Sequence, residues 1–582
     1  MDELDLFQRV VRKLSVLYPE HDCEALAHAC LSRMRLEACG GAAPAAHSCL
    51  WSQRDAVVIT YADSVICEGE PPLRTLERFL TCHLGQAVSV VHVLPFFPYS
   101  SDDGFSVMDY TSVNPSLGDW ADIRRLAERY TLMGDVVLNH CSARSLWFEN
   151  FRAGREPGRR FFITADPDAD LADVVRPRTT PLLTAVETVE GEKHVWTTFS
   201  PDQVDLNFAW PEVLLSFLDI LRLYLDQGIR WFRLDAVAFV WKRIGTPCIH
   251  LKETHVLVRL LRLLLEHAEP RSVVITETNV PNVENLSYFG NANEAHMVYN
   301  FALPPLVVHS VLSGNTDALR RWLMTQPPAQ PGTTYFNFIA SHDGIGLRPA
   351  EGLLAESDME KLLATTERQG GRISYRVQKG GQLIPYELNV SLWGLVAGTH
   401  DNENDGLQLE RFVAMHTFMM ALEGVPAFYI HSLLATPNDL ERMAHSGHNR
   451  AINRHKWEMM ALYARLEAPG STQSRVLSAL CERLRIRKAQ SAFHPNATQF
   501  TLQLPSPLVG VWRQSRDRRQ SVFALHNLSD QWVRQPLADL NLVSTEHWRD
   551  LLSGELYSDH AQVVSLAPYQ CIWLTNEEAG AH

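Results

Sequence analysis

No stretch of about 18 apolar residues occurs in the 582-residue sequence, so a membrane-spanning helix is excluded. Positive charge is scarce. Lys and Arg number 53 against 67 Asp and Glu, a formal charge of −14. A chain this acidic is a poor nucleic-acid coat and a poor partner for an anionic membrane, though a few local arginines can still bind an anion. The ten cysteines include no Cys-x-x-Cys pair and no Cys/His metal spacing. They read as reduced packing thiols, and the cytoplasm is the expected location. The opening MDELDLFQRVVRK interleaves charges with apolar residues, so a signal peptide is not expected. Internal repeats and low-complexity tracts are absent as well. What is present is ordinary globular usage, 46% hydrophobic and 21% charged, which excludes a disordered or fibrous chain. At about 100–200 residues per domain the length implies several units, one of which can be a large barrel.

Residues 1–50 read as a helical extension. LFQRVVRKLSVLY and ALAHACLSRMRLEA space their apolar residues by three and four, and CGGAAPAAHS then breaks the pattern. Eight short apolar strands follow: VVIT (57–60), VVHVLP (90–95), GDVVLNH (134–140), GIRWFRLDAV (228–237), VVITETN (273–279), MVYNFALP (297–304), FNFIASHD (336–343) and VPAFYIH (425–431). Helical intervals such as LLSFLDILRLYLDQG, stopped by Gly228, separate them. Unrelieved apolar runs suit parallel strands buried on both faces, and eight of them predict a (β/α)8 TIM barrel over 51–490. Two intervals, about 145–210 and about 344–410, exceed simple loops and read as inserted subdomains that form lids or carry function. From 491 to 582 the pattern changes to alternation with turn residues, which predicts a C-terminal antiparallel β domain.

In such a barrel, chemistry gathers at the C-terminal ends of the strands. The predicted strand ends present Asp102, His140, Arg233, Asp235, Glu277, His342 and Asp343. Each is weak alone, since a single Asp or His at a strand end commonly caps or pairs. Together, Asp235, Glu277 and Asp343 place three carboxylates on one rim with two histidines and an arginine, and Asp102 stands beside them. Glycosyl transfer needs two carboxyls flanking an anomeric carbon. A third can stabilise the positive charge that develops there.

DVVLNH, FRLDAV, ETN and SHD stand in the order of the four sequence regions of the α-amylase superfamily, which this chain resembles. The resemblance implies Asp235 as nucleophile, Glu277 as general acid/base and Asp343 as transition-state stabiliser. It implies that Asp102, His140, Arg233 and His342 hold the donated sugar. ITYADS, HVLPFFPYSSDDGFSVMDY, RPR, WTTFSPDQVDLN, YNFALPPLVVH, SHDGIG and NRAINRH narrow the likeness to the sucrose phosphorylase subfamily. That subfamily implies an apolar platform of Phe105 and Phe199, which could otherwise be barrel core. It also implies Gln203 lining the site and Arg450 on sugar hydroxyls.

The N-terminal extension, VWKRIGTPCIHL, RPRTTPLLT and GGQLIPYELN depart from the sucrose enzymes and look like the glucosylglycerate phosphorylases, which take an acidic triose. Phe239 stands where sucrose enzymes tend to have Tyr, so fructose contacts are not carried over. A dianionic phosphate entering among three carboxyls needs a cation, and a planar guanidinium suits it. Arg178 is the first choice, the alternative being that it only caps its loop. Tyr386 and Glu387 lie in the loop expected to meet phosphate and acceptor in turn.

The expected function is retaining phosphorolysis of 2-O-α-glucosylglycerate to glucose 1-phosphate and glycerate. Sucrose or sucrose 6-phosphate phosphorolysis, an α-glucosidase or transglucosidase, and a catalytically silent amylase-like subunit are the alternatives. No metal and no organic cofactor are expected, phosphate being a substrate. The expected partners are a small-molecule glucoside, phosphate and glycerate, without nucleic acid or membrane. A homodimer is left open.

Overall fold

Runs of Val, Ile and aromatic residues, four to seven long, form the staves of a barrel. The structure is a computed structural model that describes residues 5–36, 50–378, 381–540, 542, 547–557, 559 and 561–576. The staves are β1 (Val57–Thr60), β2 (Val90–Val93), β3 (Thr131–Val137), β4 (Ile229–Asp235), β5 (Val273–Thr276), β6 (Met297–Tyr299), β7 (Thr334–Asn337) and β8 (Val425–Tyr429). Each pairs in parallel with its neighbour in sequence, and β8 closes on β1 with Val58 opposite Phe428. β1, β2, β5 and β7 are buried at every position, as parallel strands covered on both faces must be.

The predicted (β/α)8 barrel is therefore present, with its eight strands where the sequence placed them. Six of the eight strands are shorter than the apolar runs. β4 stops at Asp235 because Ala236 turns left-handed (φ +49°). β7 stops at Asn337, so Phe338–Asp343 climbs from the barrel as a loop. The last polar residues of each run are thereby free to face the rim instead of a neighbouring strand.

Helices α1 (Leu6–Leu17) and α2 (Cys23–Arg33) are capped by Asp5 and Asp22, whose carboxylates accept first-turn N–H groups. They lie against α4 (Lys252–Ala268) and α3 (Pro211–Asp226) respectively. The buried Tyr18 hydroxyl fastens them by donating to the Phe208 carbonyl at 3.0 Å. The small-residue stretch at 39–48 lies outside the described residues. Gly228 ends α3's turn into β4 at φ +95°, and a Cβ there would stand 2.6 Å from that of Ala127.

After β3 the chain forms a helix (Leu146–Arg152) and an antiparallel hairpin (Leu183–Thr188 with Gly191–Trp196). After β7 it forms a helix (Glu356–Arg368) and a three-stranded sheet of Ile345–Gly346, Leu383–Asn389 and Arg372–Val377. The C-terminal residues build a six-stranded antiparallel sheet with its own core, including Leu508, Phe523, Trp548 and Leu574.

Candidate active site

The rim residues meet in one cavity above the strands' C-terminal ends. Asp235 closes β4, Glu277 follows β5 directly, and Asp343 ends the loop after β7. Asp102, Phe105, His140, Phe199, Gln203 and His342 line the same space. Arg178, Tyr386 and Arg450 line it too, brought in by the two insertions and the turn after β8. Two predicted residues are placed differently. Arg233 lies beneath the floor, 2% exposed. Glu387 lies outside this space, on the adjoining outer cavity that it lines with Arg178, Tyr386 and Arg450, and its carboxylate is turned onto Arg450.

Arg233 organises the floor. Its Nη1 donates to Asp235 Oδ1 at 2.8 Å and also to Asp135, and its Nη2 lies 3.9 Å from Glu277 Oε2. Asp135 also accepts from His92 Nε2 at 2.7 Å, with both side chains fully buried. The left-handed Ala236 turns its N–H onto Glu277 Oε2 at 3.1 Å. A non-glycine residue in that region costs about 1–3 kcal/mol, and here the strain ties the backbone behind Asp235 to the second carboxyl.

Burial pushes Asp235 well above the usual carboxylate range, and Glu277, Asp135 and Asp343 add to the rise while Arg233 opposes it. Burial raises Glu277 as well, again against Arg233. Two raised carboxyls this close titrate as a pair. The guanidinium touches Asp235 and stands off Glu277. It therefore places the negative charge on Asp235 and leaves the proton on Glu277. Asp343 differs: burial raises it, but Arg450, Arg454, Arg233 and Arg178 more than offset this and hold it below its ordinary value. It stays charged. Beside Asp102 the site thus holds a carboxyl pair in which contact with Arg233 favours the charge on Asp235 and the proton on Glu277, and a charged Asp343, a set suited to glycosyl transfer through an oxocarbenium-like state.

The wall formed by Phe105, His140 and His342 is uncharged and flat. Phe105 stacks on His342 with centroids 5.0 Å apart and planes 5° from parallel. Burial lowers His140 to about 4 and holds His342 well below its ordinary value, so both are uncharged hydrogen-bonders at neutral pH. His140 Nε2 donates to the Phe105 carbonyl at 3.0 Å, and Gln203 Nε2 to Asp102 Oδ2 at 3.4 Å.

Arg178 has a different environment. Its guanidinium lies 5.5 Å from the Phe199 ring centroid and 5.4 Å from that of Tyr386. Its one hydrogen bond is to the neighbouring Pro177 carbonyl, and among the described residues no carboxylate pairs with it. The other two cavity-side arginines are committed. Arg450 pairs with Asp343 and Glu387, and Arg454 pairs with Asp103 and reaches Asp102 and Asp343.

The α-amylase catalytic-domain family matches residues 83–345 of this chain. A glucosylglycerate phosphorylase of Allomeiothermus silvanus is 41% identical over 98% of this chain and 99% of its own length. The chain belongs to the glycoside-phosphorylase branch of the α-amylase family. A sucrose phosphorylase of Agrobacterium vitis stands further off, 30% identical over 80% of this chain and 94% of its own. The crystal structure of a sucrose 6F-phosphate phosphorylase from Thermoanaerobacter thermosaccharolyticum shares the fold. It has a TM-score of 0.70 at 24% identity, over 82% of this chain and 94% of that one.

Sequence reasoning missed the support beneath this family site. Arg454, in the NRAINRH motif, donates to the His342 carbonyl at 2.9 Å and to Asp103 Oδ2 at 2.9 Å. Lys242, in the VWKRIG departure, is buried with its ammonium 2.6 Å from Asp205 Oδ2 and 2.5 Å from Asn139 Oδ1. Asn139 in turn contacts His140 Nδ1 at 3.2 Å. The signal was a lysine embedded among apolar residues, which is rarely buried unless paired. Removing one partner of a buried pair leaves the other uncompensated, at about 3–5 kcal/mol. Lys242→Met is expected to lose about that much stability, read as a fall in the urea midpoint at unchanged slope. A midpoint equal to the parent's would show that Asp205 is compensated by Thr198 and Asn139 alone.

Proposed function

We propose that the protein catalyses reversible phosphorolysis of 2-O-α-D-glucosylglycerate to α-D-glucose 1-phosphate and D-glycerate, with retention, in the cytoplasm. The observation that carries this reading is Arg178, an unpaired guanidinium at the mouth of a cavity that holds four carboxyls. Water or a neutral sugar as acceptor needs no such cation. Phosphate and glycerate both do, and they take turns on the same side of the sugar. The relatives named above support the choice of glycerate over fructose.

In the forward direction Asp235 attacks the anomeric carbon while Glu277 gives its proton to the departing oxygen of glycerate. Asp343, charged, faces the ring as positive charge develops. Glycerate leaves and phosphate takes its place against Arg178. The ionised Glu277 accepts a proton from the incoming phosphate, and a phosphate oxygen displaces Asp235. Two inversions return the α configuration. Glu277 is protonated again and Asp235 is free, so the cycle balances.

The deciding assay mixes the enzyme with phosphate and either glucosylglycerate or sucrose. Release of α-glucose 1-phosphate, with strong preference for glucosylglycerate, is expected. Free glucose as the main product would make the chain a glucosidase, and preference for sucrose would overturn the glycerate assignment. Arg178→Ala is expected to raise KM for phosphate and for glycerate together. The loss of a charge-assisted bond worth about 1.5–3 kcal/mol corresponds to roughly ten- to two-hundredfold. Leakage to free glucose should persist and become a larger share of turnover. If only one anion is affected, the two do not share this guanidinium.

A further inference from the structure

The second insertion reaches the catalytic rim through Glu387. This carboxylate is 2% exposed and grips the edge of Arg450 with both oxygens, Oε1 to Nε at 3.0 Å and Oε2 to Nη2 at 2.7 Å. Asn389 Nδ2 donates to Oε1 at 2.6 Å. The remaining arm of the guanidinium, Nη1, lies 2.6 Å from Asp343 Oδ1. The backbone fixes the same unit, with Gly346 opposite Glu387 and Ile345 opposite Leu388. Gly344 completes the seam: a Cβ there would stand 2.3 Å from the Leu388 carbonyl and 2.6 Å from Glu387 Cγ. Arg450 therefore sits between two carboxylates held in register by one strand pair.

Arg450 supplies one positive charge to two negative ones, while Arg454 stands as a second guanidinium 3.6 Å from Asp343 Oδ1. Without Glu387 it would neutralise Asp343 alone, and two of its arms would be free to turn toward the cavity. A side-on carboxylate prevents both, because the fork geometry fixes the guanidinium plane. We propose that Glu387 is a positioning residue that restrains Arg450. It keeps the charge of Asp343 available to the transition state and leaves Arg178 as the guanidinium that selects the anion. The proposal rests on the phosphorylase reading and assigns Glu387 the reverse of direct anion contact, which a carboxylate facing phosphate would oppose.

The test compares Glu387→Gln and Glu387→Asp with the parent. Phosphate binding is measured by titration calorimetry on the full chain without glucoside. Turnover of α-glucosyl fluoride is measured without phosphate, and folding by thermal melting. In Glu387→Gln one negative charge near the anion subsite is gone, so phosphate is expected to bind about three- to tenfold tighter. Fluoride turnover should nevertheless fall about ten- to a hundredfold, because Arg450, no longer shared with Glu387, pairs more fully with Asp343 and damps its charge. Glu387→Asp keeps the charge and shortens the reach, so phosphate affinity should stay near the parent's while fluoride turnover falls. A merely structural role would weaken both readouts together, and a direct binding role would weaken phosphate first. Either result overturns the proposal, as does unchanged fluoride turnover in both variants. If Glu387→Gln does not fold, Glu387→Asp decides by the same split. Failure of the parent to release glucose 1-phosphate would sink the phosphorylase reading instead, and the fluoride arm, which needs no phosphate, separates the two failures.

Discussion

Asp235→Asn is expected to reduce phosphorolysis by several orders of magnitude while the protein melts within a few degrees of the parent. The amide cannot form the glucosyl ester, and residues that act as one unit lose nearly everything when removed singly. The fold should survive because the substitution leaves a hydrogen-bonding oxygen for Arg233 Nη1, now 2.8 Å from Asp235 Oδ1, and Asp135 still pairs with that guanidinium. The measurement is single-turnover burst chemistry with phosphate withheld. The parent should trap a glucosyl adduct on the peptide carrying Asp235, and the variant none. An adduct on another residue, or turnover near the parent's, would remove Asp235 from the nucleophile's role. The anomer released by the parent gives an independent check, since one displacement would deliver the β-phosphate and two deliver the α.

The barrel was legible because its eight strands are apolar runs closed by polar residues, and a parallel stave buried on both faces leaves that imprint whatever its neighbours are. Asp235, Glu277 and Asp343 were legible for the same reason: a carboxylate that ends such a run can only face the rim. Strand lengths were less so. Nothing in FRLDAV says that Ala236 turns left-handed, because that conformation is imposed by the bond from its N–H to Glu277 Oε2, forty-one residues away. The second layer was legible least of all. Arg233 and Arg454 are both arginines in recognised motifs, yet one lies under the floor and the other ties Asp103 to the His342 carbonyl. Glu387 shows the same limit. A carboxylate in an inserted loop reads as a ligand contact, and nothing local announces that Arg450, 63 positions on, binds both its oxygens. Partnerships between side chains so far apart are set by packing, and no local pattern carries them.

Glu277→Gln is expected to fail selectively, and the selectivity identifies the acid. With glucosylglycerate the leaving group is an alkoxide unless protonated, so the variant should lose about 10²–10⁴-fold, the usual contribution of general acid catalysis. With α-glucosyl fluoride the leaving group departs without a proton, so formation of the glucosyl enzyme should remain close to the parent's rate. The pH profile supplies the sign. Burial, with Asp343 adding to it, raises the Glu277 pKa above its ordinary value, and Arg233 only partly opposes this. A raised acid is protonated at neutral pH and active there. Activity on glucosylglycerate should therefore fall as pH climbs through that raised value, forming the alkaline limb of a bell. The acid limb belongs to the loss of charge on Asp235 and Asp343 as pH falls. In Glu277→Gln with the fluoride the alkaline limb has no group left to produce it, so the rate should run flat where the parent's activity on glucosylglycerate declines. A surviving alkaline limb would mean that another group, with Tyr386 the nearest alternative in the cavity, gives the proton. A variant equally inert toward both donors would mean that Glu277 shapes the site through its bond to Ala236 without acting as the acid.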